Sequence, residues 1–217
     1  MPRIVTRIEP IPRHPDRVRI HFQDGRTLDV TRLVAEESGL RPGVFLDDVR
    51  LARLRERDVF EDTLSRALRF LETRPRSERE VRTRLAQKGT PPELIDRVIE
   101  RLRGIGLIDD AAFAQFWVEN RNQFNPRGAR LLKAELRQKG VAAEVVETVD
   151  EDVDEAAGAR EVALRLARRL ARLDRPTFRQ RLWAQLARRG FDYDAIGPAV
   201  DEAWAEAAGN GDGEKEE

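Results

Sequence analysis

The sequence predicts a mainly α-helical chain: three tandem three-helix repeats of helix-turn-helix character, forming an elongated curved array behind a small N-terminal β-hairpin unit. Three observations predict it. Residues 3–31 alternate between apolar and polar side chains, as half-buried strands do. Beyond Phe45 the apolar period lengthens from two to about 3.6, the period of a helix. A Leu-x-x-x-Gly pattern then occurs three times at nearly constant spacing.

In the N-terminal unit, residues 1–46, Ile4, Thr6 and Ile8 recur at every second position, as do Val18, Ile20 and Phe22. Leu28 and Val30 follow Asp24-Gly25, a hairpin signal because both residues tolerate positive φ. Residues 3–31 thus read as two or three short strands. A short helix over residues 33–38 ends at Gly39, and Arg41-Pro42-Gly43 turns the chain. So small a unit has little core of its own and should pack on the helical segment after it.

Leu51, Leu54, Leu64, Leu68 and Leu71 then fall at helical spacing, and no strand is expected up to Trp204. The recurring pattern is Leu85-Ala-Gln-Lys-Gly89, Leu136-Arg-Gln-Lys-Gly140 and Leu186-Ala-Arg-Arg-Gly190, with glycines 51 and 50 residues apart. Eight residues before each glycine stands Val81, Leu132 or Leu182; six after it stands Ile95, Val146 or Ile196. These recurrences delimit repeats at 47–108, 109–154 and 155–207. Residues 208–217 are acidic and read as a disordered tail.

Helix boundaries follow from cap residues. Ser77 with Glu80 forms a capping box that opens the middle helix of the first repeat, and Gly89 ends it in a left-handed conformation. Thr90-Pro91-Pro92-Glu93 reads as a second capping box with proline at the first helical position. Leu94, Ile95, Val98, Ile99 and Leu102 form the apolar face of the next helix, which stops near Gly104 and Gly106. Asp109-Asp110 caps the helix carrying Phe113, Phe116 and Trp117, aromatics placed to pack between repeats. Asn125-Pro126 opens the second middle helix, and Asp174 to Thr177 the third. Pro198 falls within the last helix.

Composition narrows the function classes. The chain has no cysteine, which removes disulfides, thiolate catalysis and cysteine-ligated metals. His14 and His21 are isolated from any second ligand at metal spacing. There is no Gly-rich phosphate loop, no Ser-His-Asp set and no His-Glu-x-x-His motif, and no apolar run long enough to span a membrane or export the chain. A non-enzymatic, cytoplasmic protein without cofactor or metal is expected.

Charge is segregated rather than absent. Formal net charge is zero, yet residues 160–189 hold ten arginines against two acids, and residues 141–155 hold seven acids and no base. Only four lysines occur, so the choice of Arg over Lys at a position carries little weight, whereas the positive charge carries more. Counted back from each glycine, Arg76 and Arg127 stand thirteen before, Arg79 and Arg130 ten before, Arg82 and Lys133 seven before, and Lys88, Lys139 and Arg189 one before. Steps of three keep side chains near one helix face, so each middle helix should carry a basic stripe beside its apolar one. The third repeat supplies Arg175, Arg179 and Arg181 at other offsets. These twelve cations are the expected partner-binding residues. Reversing the charge of Arg127, Arg130 and Lys133 together is expected to leave helicity intact. Arg165, Arg168, Arg169 and Arg172 form a further stripe that could instead face the acids of residues 147–155.

The chain from about residue 61 to 205 resembles the RecX family of bacterial recombination regulators. The resemblance is carried by Ala67-Leu68 and Leu71, by Arg76-Ser77-Glu78-Arg79-Glu80-Val81 running to Leu85-Ala86-Gln87-Lys88-Gly89, and by Val98 to Leu102. Gly106-Leu107-Ile108-Asp109-Asp110 with Phe113-Ala114 comes next, and the second repeat adds Pro126-Arg127-Gly128 and Leu136 to Gly140. The resemblance implies three tandem three-helix units and binding to RecA, the recombinase that polymerises on single-stranded DNA. It also implies a seat in the groove of that filament; a monomer is expected, reaching the single-stranded DNA either directly or only through the recombinase. Filament growth, ATP hydrolysis and strand exchange would be inhibited there, in the modulation of DNA repair, recombination and the SOS response. The third repeat matches least: Trp183 stands where Arg82 and Lys133 stand in the others. The N-terminal unit is absent from the shortest family members.

Two other readings compete. A helix-turn-helix DNA reader would place the last helix of a repeat in the major groove, but in the second repeat that segment carries Glu144, Glu147, Asp150 and Glu151 and no base. A generic α-helical interaction scaffold fits the repeats equally well, and only the family motif argues against it.

Overall fold

The computed structural model describes residues 3–149 and 153–212; the acids 150–152 and residues 213–217 of the expected tail lie outside them. The elements in chain order are β1 (Arg3–Ile11), β2 (His14–Phe22), β3 (Thr27–Thr31), α1 (Arg32–Glu37), β4 (Phe45–Leu46), α2 (Asp48–Leu71), α3 (Glu78–Ala86), α4 (Pro92–Gly104), α5 (Asp110–Phe124), α6 (Ala129–Gln138), α7 (Ala143–Glu147), α8 (Glu155–Leu170), α9 (Arg175–Arg188) and α10 (Tyr193–Asp212). The chain divides into two compact units. One comprises residues up to Arg74 together with Val81–Leu107; the other comprises Pro75–Glu80 and everything from Ile108 onward.

In the first unit the strands form an antiparallel sheet of order β3-β2-β1-β4. Asp24-Gly25 turns β2 into β3, with Gly25 at φ 77 as the dipeptide requires. The β1–β2 reversal passes through Arg13 at φ 72, a turn that no Gly or Asn announces. A fourth strand joins the expected ones: Phe45–Leu46 pairs with Arg3 and Ile4. Val5, Val18, Ile20, Phe22 and Val30 bury one face of the sheet against Val34 of α1 and Leu51 and Leu54 of α2. Full burial of such a side chain contributes about 1.5–3 kcal/mol. The carboxylate of Asp58 on α2, 8% exposed, accepts the Thr31 amide at 2.6 Å and Arg17 Nη2 at 3.0 Å. These two donors compensate the desolvation of the charge and fasten the sheet to the long helix.

The repeats are α2–α4, α5–α7 and α8–α10. Every position read as recurrent core is buried: Val81, Leu132 and Leu182; Leu85, Leu136 and Leu186; Ile95, Val146 and Ile196, none more than 5% exposed. Gly89, Gly140 and Gly190 have φ of 78, 81 and 85, and each closes its middle helix with the same pair of backbone bonds. The glycine N–H donates to the carbonyl three residues back, and the next residue to the carbonyl five before it: Thr90 to Leu85 at 3.2 Å, Val141 to Leu136 at 3.1 Å, Phe191 to Leu186 at 3.4 Å. The carbonyl just before the glycine is left out of that pattern.

The Ser77 box closes both ways, Glu80 N–H to Ser77 Oγ at 3.2 Å and Ser77 N–H to Glu80 Oε2 at 3.3 Å. Other helix starts differ from expectation. Pro91, not Thr90, caps α4 and makes no side-chain bond, because Pro92 takes the first helical position. Gly128 rather than Asn125 caps α6; a residue before proline is driven out of helical backbone, and Asn125 instead ends α5. Phe113 is buried in its own repeat beside Leu132 and Leu136 rather than between repeats. α10 contains Pro198 and takes in residues 208–212 of the stretch read as tail.

Candidate partner-binding surface

The glycines that end the middle helices also seat the repeats of the second unit on one another. The Ser77 hydroxyl donates to the Lys139 carbonyl at 2.8 Å, and Lys139 Nζ reaches back to Glu80 at 2.7 Å. The aliphatic stem of Arg79 lies where a Cβ on Gly140 would be. The arrangement returns one repeat later. Gly128, twelve residues before its glycine as Ser77 is before Gly89, donates its N–H to the Arg189 carbonyl at 3.0 Å. Leu131 fills the space beside Gly190, and Arg189 Nη1 reaches Asn125 Oδ1 at 2.7 Å. Glu155 adds the Ala129 amide at 2.6 Å and the Asp192 amide at 3.2 Å. The carbonyl that the helix cap leaves over is thus used in each junction, and the cation beside it reaches the preceding repeat, Lys139 at the start of α3 and Arg189 at the end of α5.

These junctions and their surroundings absorb most of the expected stripe. Arg79 and Lys139 serve the first junction, Arg130 and Arg189 the second, Arg130 donating to the Ala187 carbonyl at 2.9 Å. Arg127 pairs with Glu135, which also takes Arg121 at 3.0 Å and the Trp117 indole at 2.8 Å. Burial, then the neighbouring Arg121 and Arg189, lowers the Arg127 pKa; burial, then Arg165, lowers that of Arg189. Lys133 holds Glu147 at 3.1 Å, and with Arg137 it lowers the Glu147 pKa. Arg82 pairs with Asp96 at 2.5 Å and Arg179 with Asp201 at 2.6 Å, while Arg76 is half-buried. The spacing placed these cations on one face but could not show that acids and carbonyls of the protein itself take most of them up.

Lys88, Arg175 and Arg181 remain exposed, with no hydrogen bond or ion pair among the described residues. So do Arg168, Arg169, Arg172 and Arg188. Among the described residues Arg165 pairs with Glu161 on its own helix, at 3.6 Å. The acids offered as the alternative partners of this stripe are engaged elsewhere where they are described, Glu147 by Lys133 and Arg137 and Glu155 by backbone amides. Arg168, Arg169, Arg172 and Arg175 therefore crowd the α8–α9 turn, where the C-terminal end of α8 favours cations. Trp183 stacks on Tyr193 with ring centroids 5.9 Å apart, and Arg179 lies 5.6 Å from the Trp183 ring centre. Tyr193, 74% exposed, went unread because one aromatic after a helix-ending glycine carries no periodic signal.

His21 Nε2 bonds Glu9 at 2.8 Å across the β1–β2 pair, and no group of acids and histidines among the described residues could hold a metal ion. No described helix is long and apolar enough to cross a membrane. α7, the last helix of the second repeat, has five residues, with Glu144 in its first turn and Glu147 at its end.

Comparison with known proteins agrees with this arrangement. Models of the first, second and third three-helix domains of RecX match residues 64–102, 109–149 and 153–200. The regulatory protein RecX of Bacillus subtilis (strain 168) is 30% identical over 201 residues, spanning 91% of this chain and 76% of that one. That of Mycolicibacterium smegmatis is 36% identical over 177 residues, spanning 76% and 90%. A crystal structure of a regulatory protein RecX superposes with a TM-score of 0.71 at 26% identity, covering 92% of this chain and 99% of that one. The crystal structure of RecX from Lactobacillus salivarius, 22% identical, shares the fold with a TM-score of 0.60.

Proposed function

Since the chain belongs to the RecX family of regulatory proteins, we propose that it binds the RecA recombinase and the filament RecA builds on single-stranded DNA. It acts there as a monomer and without catalysis, limiting filament growth and suppressing ATP hydrolysis and strand exchange. The match of all three repeats to the family carries this reading. The exposed cations without a hydrogen bond or ion pair among the described residues support it: Arg168, Arg169, Arg172, Arg175 and Arg181 in the third repeat and Lys88 in the first. Guanidinium groups with no acid paired to them among the described residues suit carboxylates on a protein surface or phosphates within the filament. They also steer encounter with a polyanion at long range. The five-residue, acidic α7 speaks against reading DNA by a recognition helix, since phosphate would repel it.

The test is ATP hydrolysis by RecA on single-stranded DNA, titrated with this protein. Inhibition at less than one copy per recombinase supports the proposal. Unchanged hydrolysis at saturating protein rejects it, and a generic scaffold becomes the better reading.

A further inference from the structure

The helix-ending glycine of the first repeat carries the same features as those of the other two, yet no described residue sits on it. A Cβ placed on Gly89 would meet nothing within 4 Å, whereas one on Gly140 would strike Arg79 and one on Gly190 would strike Leu131. Lys88 occupies the position of Lys139 and Arg189, and it is exposed with no partner among the described residues. The backbone closure is the same, Gly89 N–H to the Ala86 carbonyl at 2.9 Å and Thr90 N–H to that of Leu85 at 3.2 Å, so the Lys88 carbonyl is left over as those of Lys139 and Arg189 are. Those two carbonyls each accept a donor from the start of another helix.

We infer that Lys88 and Gly89 form a docking seat for the first turn of an α-helix on a partner protein. The two occupied seats define the chemistry of the occupant. Its cap residue is small and brings a hydrogen-bond donor to the Lys88 carbonyl, as the Ser77 hydroxyl and the Gly128 amide do. A side chain from its first turn lies over the bare Cα of Gly89, as Arg79 and Leu131 lie over theirs. A polar group, best a carboxylate placed as Glu80 is, meets the Lys88 ammonium in a charge-assisted bond. The occupant is therefore a Ser-x-x-Glu helix start. A second copy of the chain fits poorly. Its Ser77 and Gly128 starts are already seated, and α9 opens with an Asp174 cap and places buried Phe178 at the offset those two residues occupy. The seat does not depend on the partner being the recombinase.

The probe is a synthetic peptide with the sequence of residues 75–86, stapled into a helix on its outer face, titrated into the full ¹⁵N-labelled chain. Expected are saturable shifts of the Lys88, Gly89 and Thr90 amides in the millimolar range. The Gly140 and Gly190 amides, already covered, should stay still. Lys88→Glu should weaken binding by about tenfold through loss of the charge-assisted bond. Gly89→Asn, which tolerates left-handed φ, should abolish it by filling the seat. A peptide with its Ser and second Glu replaced by Val and Lys should not bind. Absence of shifts at these amides, or binding indifferent to both variants, overturns the inference. Shifts of the same amides that grow with protein concentration alone overturn the assignment to a partner protein, since a second copy would then be the occupant.

Discussion

The Ser77 hydroxyl accepts the Glu80 amide at 3.2 Å and donates to the Lys139 carbonyl at 2.8 Å, across 62 residues of sequence. One side chain thus caps its own helix and fastens that helix start to the end of the next middle helix. The same economy holds at Gly140, which ends α6 and leaves room for Arg79.

Gly140→Ala should therefore cost more than Gly89→Ala. Both replacements force a left-handed residue, costing about 1–2 kcal/mol. Only Gly140→Ala also displaces Arg79, which should add about 1–3 kcal/mol. Urea unfolding of the two variants measures the difference, and equal midpoints would show that the junction contributes nothing.

Charge reversal at Arg127, Arg130 and Lys133 should unfold the protein at lower temperature, contrary to the expectation from spacing alone. Arg127–Glu135 is a half-buried pair, Arg130 holds the Ala187 carbonyl, and Lys133 holds Glu147. Breaking such a set costs on the order of 3 kcal/mol. Thermal melting by circular dichroism decides it, and an unchanged melt would make these residues available to a partner again.

Reversal at Arg168, Arg169 and Arg172 should do the opposite. These residues have no internal partner among those described, so the melt should move by no more than a few degrees, as for ordinary surface changes. Inhibition of RecA ATP hydrolysis should weaken by about tenfold or more if they meet carboxylate or phosphate. Retained potency with a retained fold would exclude the α8–α9 turn as the contact.

Acid should loosen the second repeat. Bonds from Lys133 and Arg137 hold the Glu147 carboxyl below its ordinary value of 4.5. A depressed carboxylate contributes stability that is fully present above the unfolded value and is lost as pH falls through the folded one. Stability should thus decline below about pH 4.5, and Glu147→Gln should flatten that decline. Equilibrium unfolding at stepped pH tests it; identical slopes for both proteins would count against the pair.

The sequence by itself determined the repeats, their buried positions and the ends of their middle helices, as well as the hairpin at Asp24-Gly25. Each of those is written in residues a few positions apart: an apolar period, a cap and its third neighbour, a glycine where φ must be positive. It also determined the family, because the motif around Gly89 to Phe113 is local in the same sense. The start of α6 was misread for a related reason, since Gly128 caps that helix through contacts with Arg189 and Gly190 rather than through a side chain of its own. Only the tertiary structure decided which cations are available to a partner. Whether Lys139 faces solvent or Glu80 depends on residues 59 positions away, and whether Arg189 is free depends on Asn125 at a separation of 64. Counting along a helix assigns a side chain to a face, but the occupant of the space beyond that face is set by packing between distant segments.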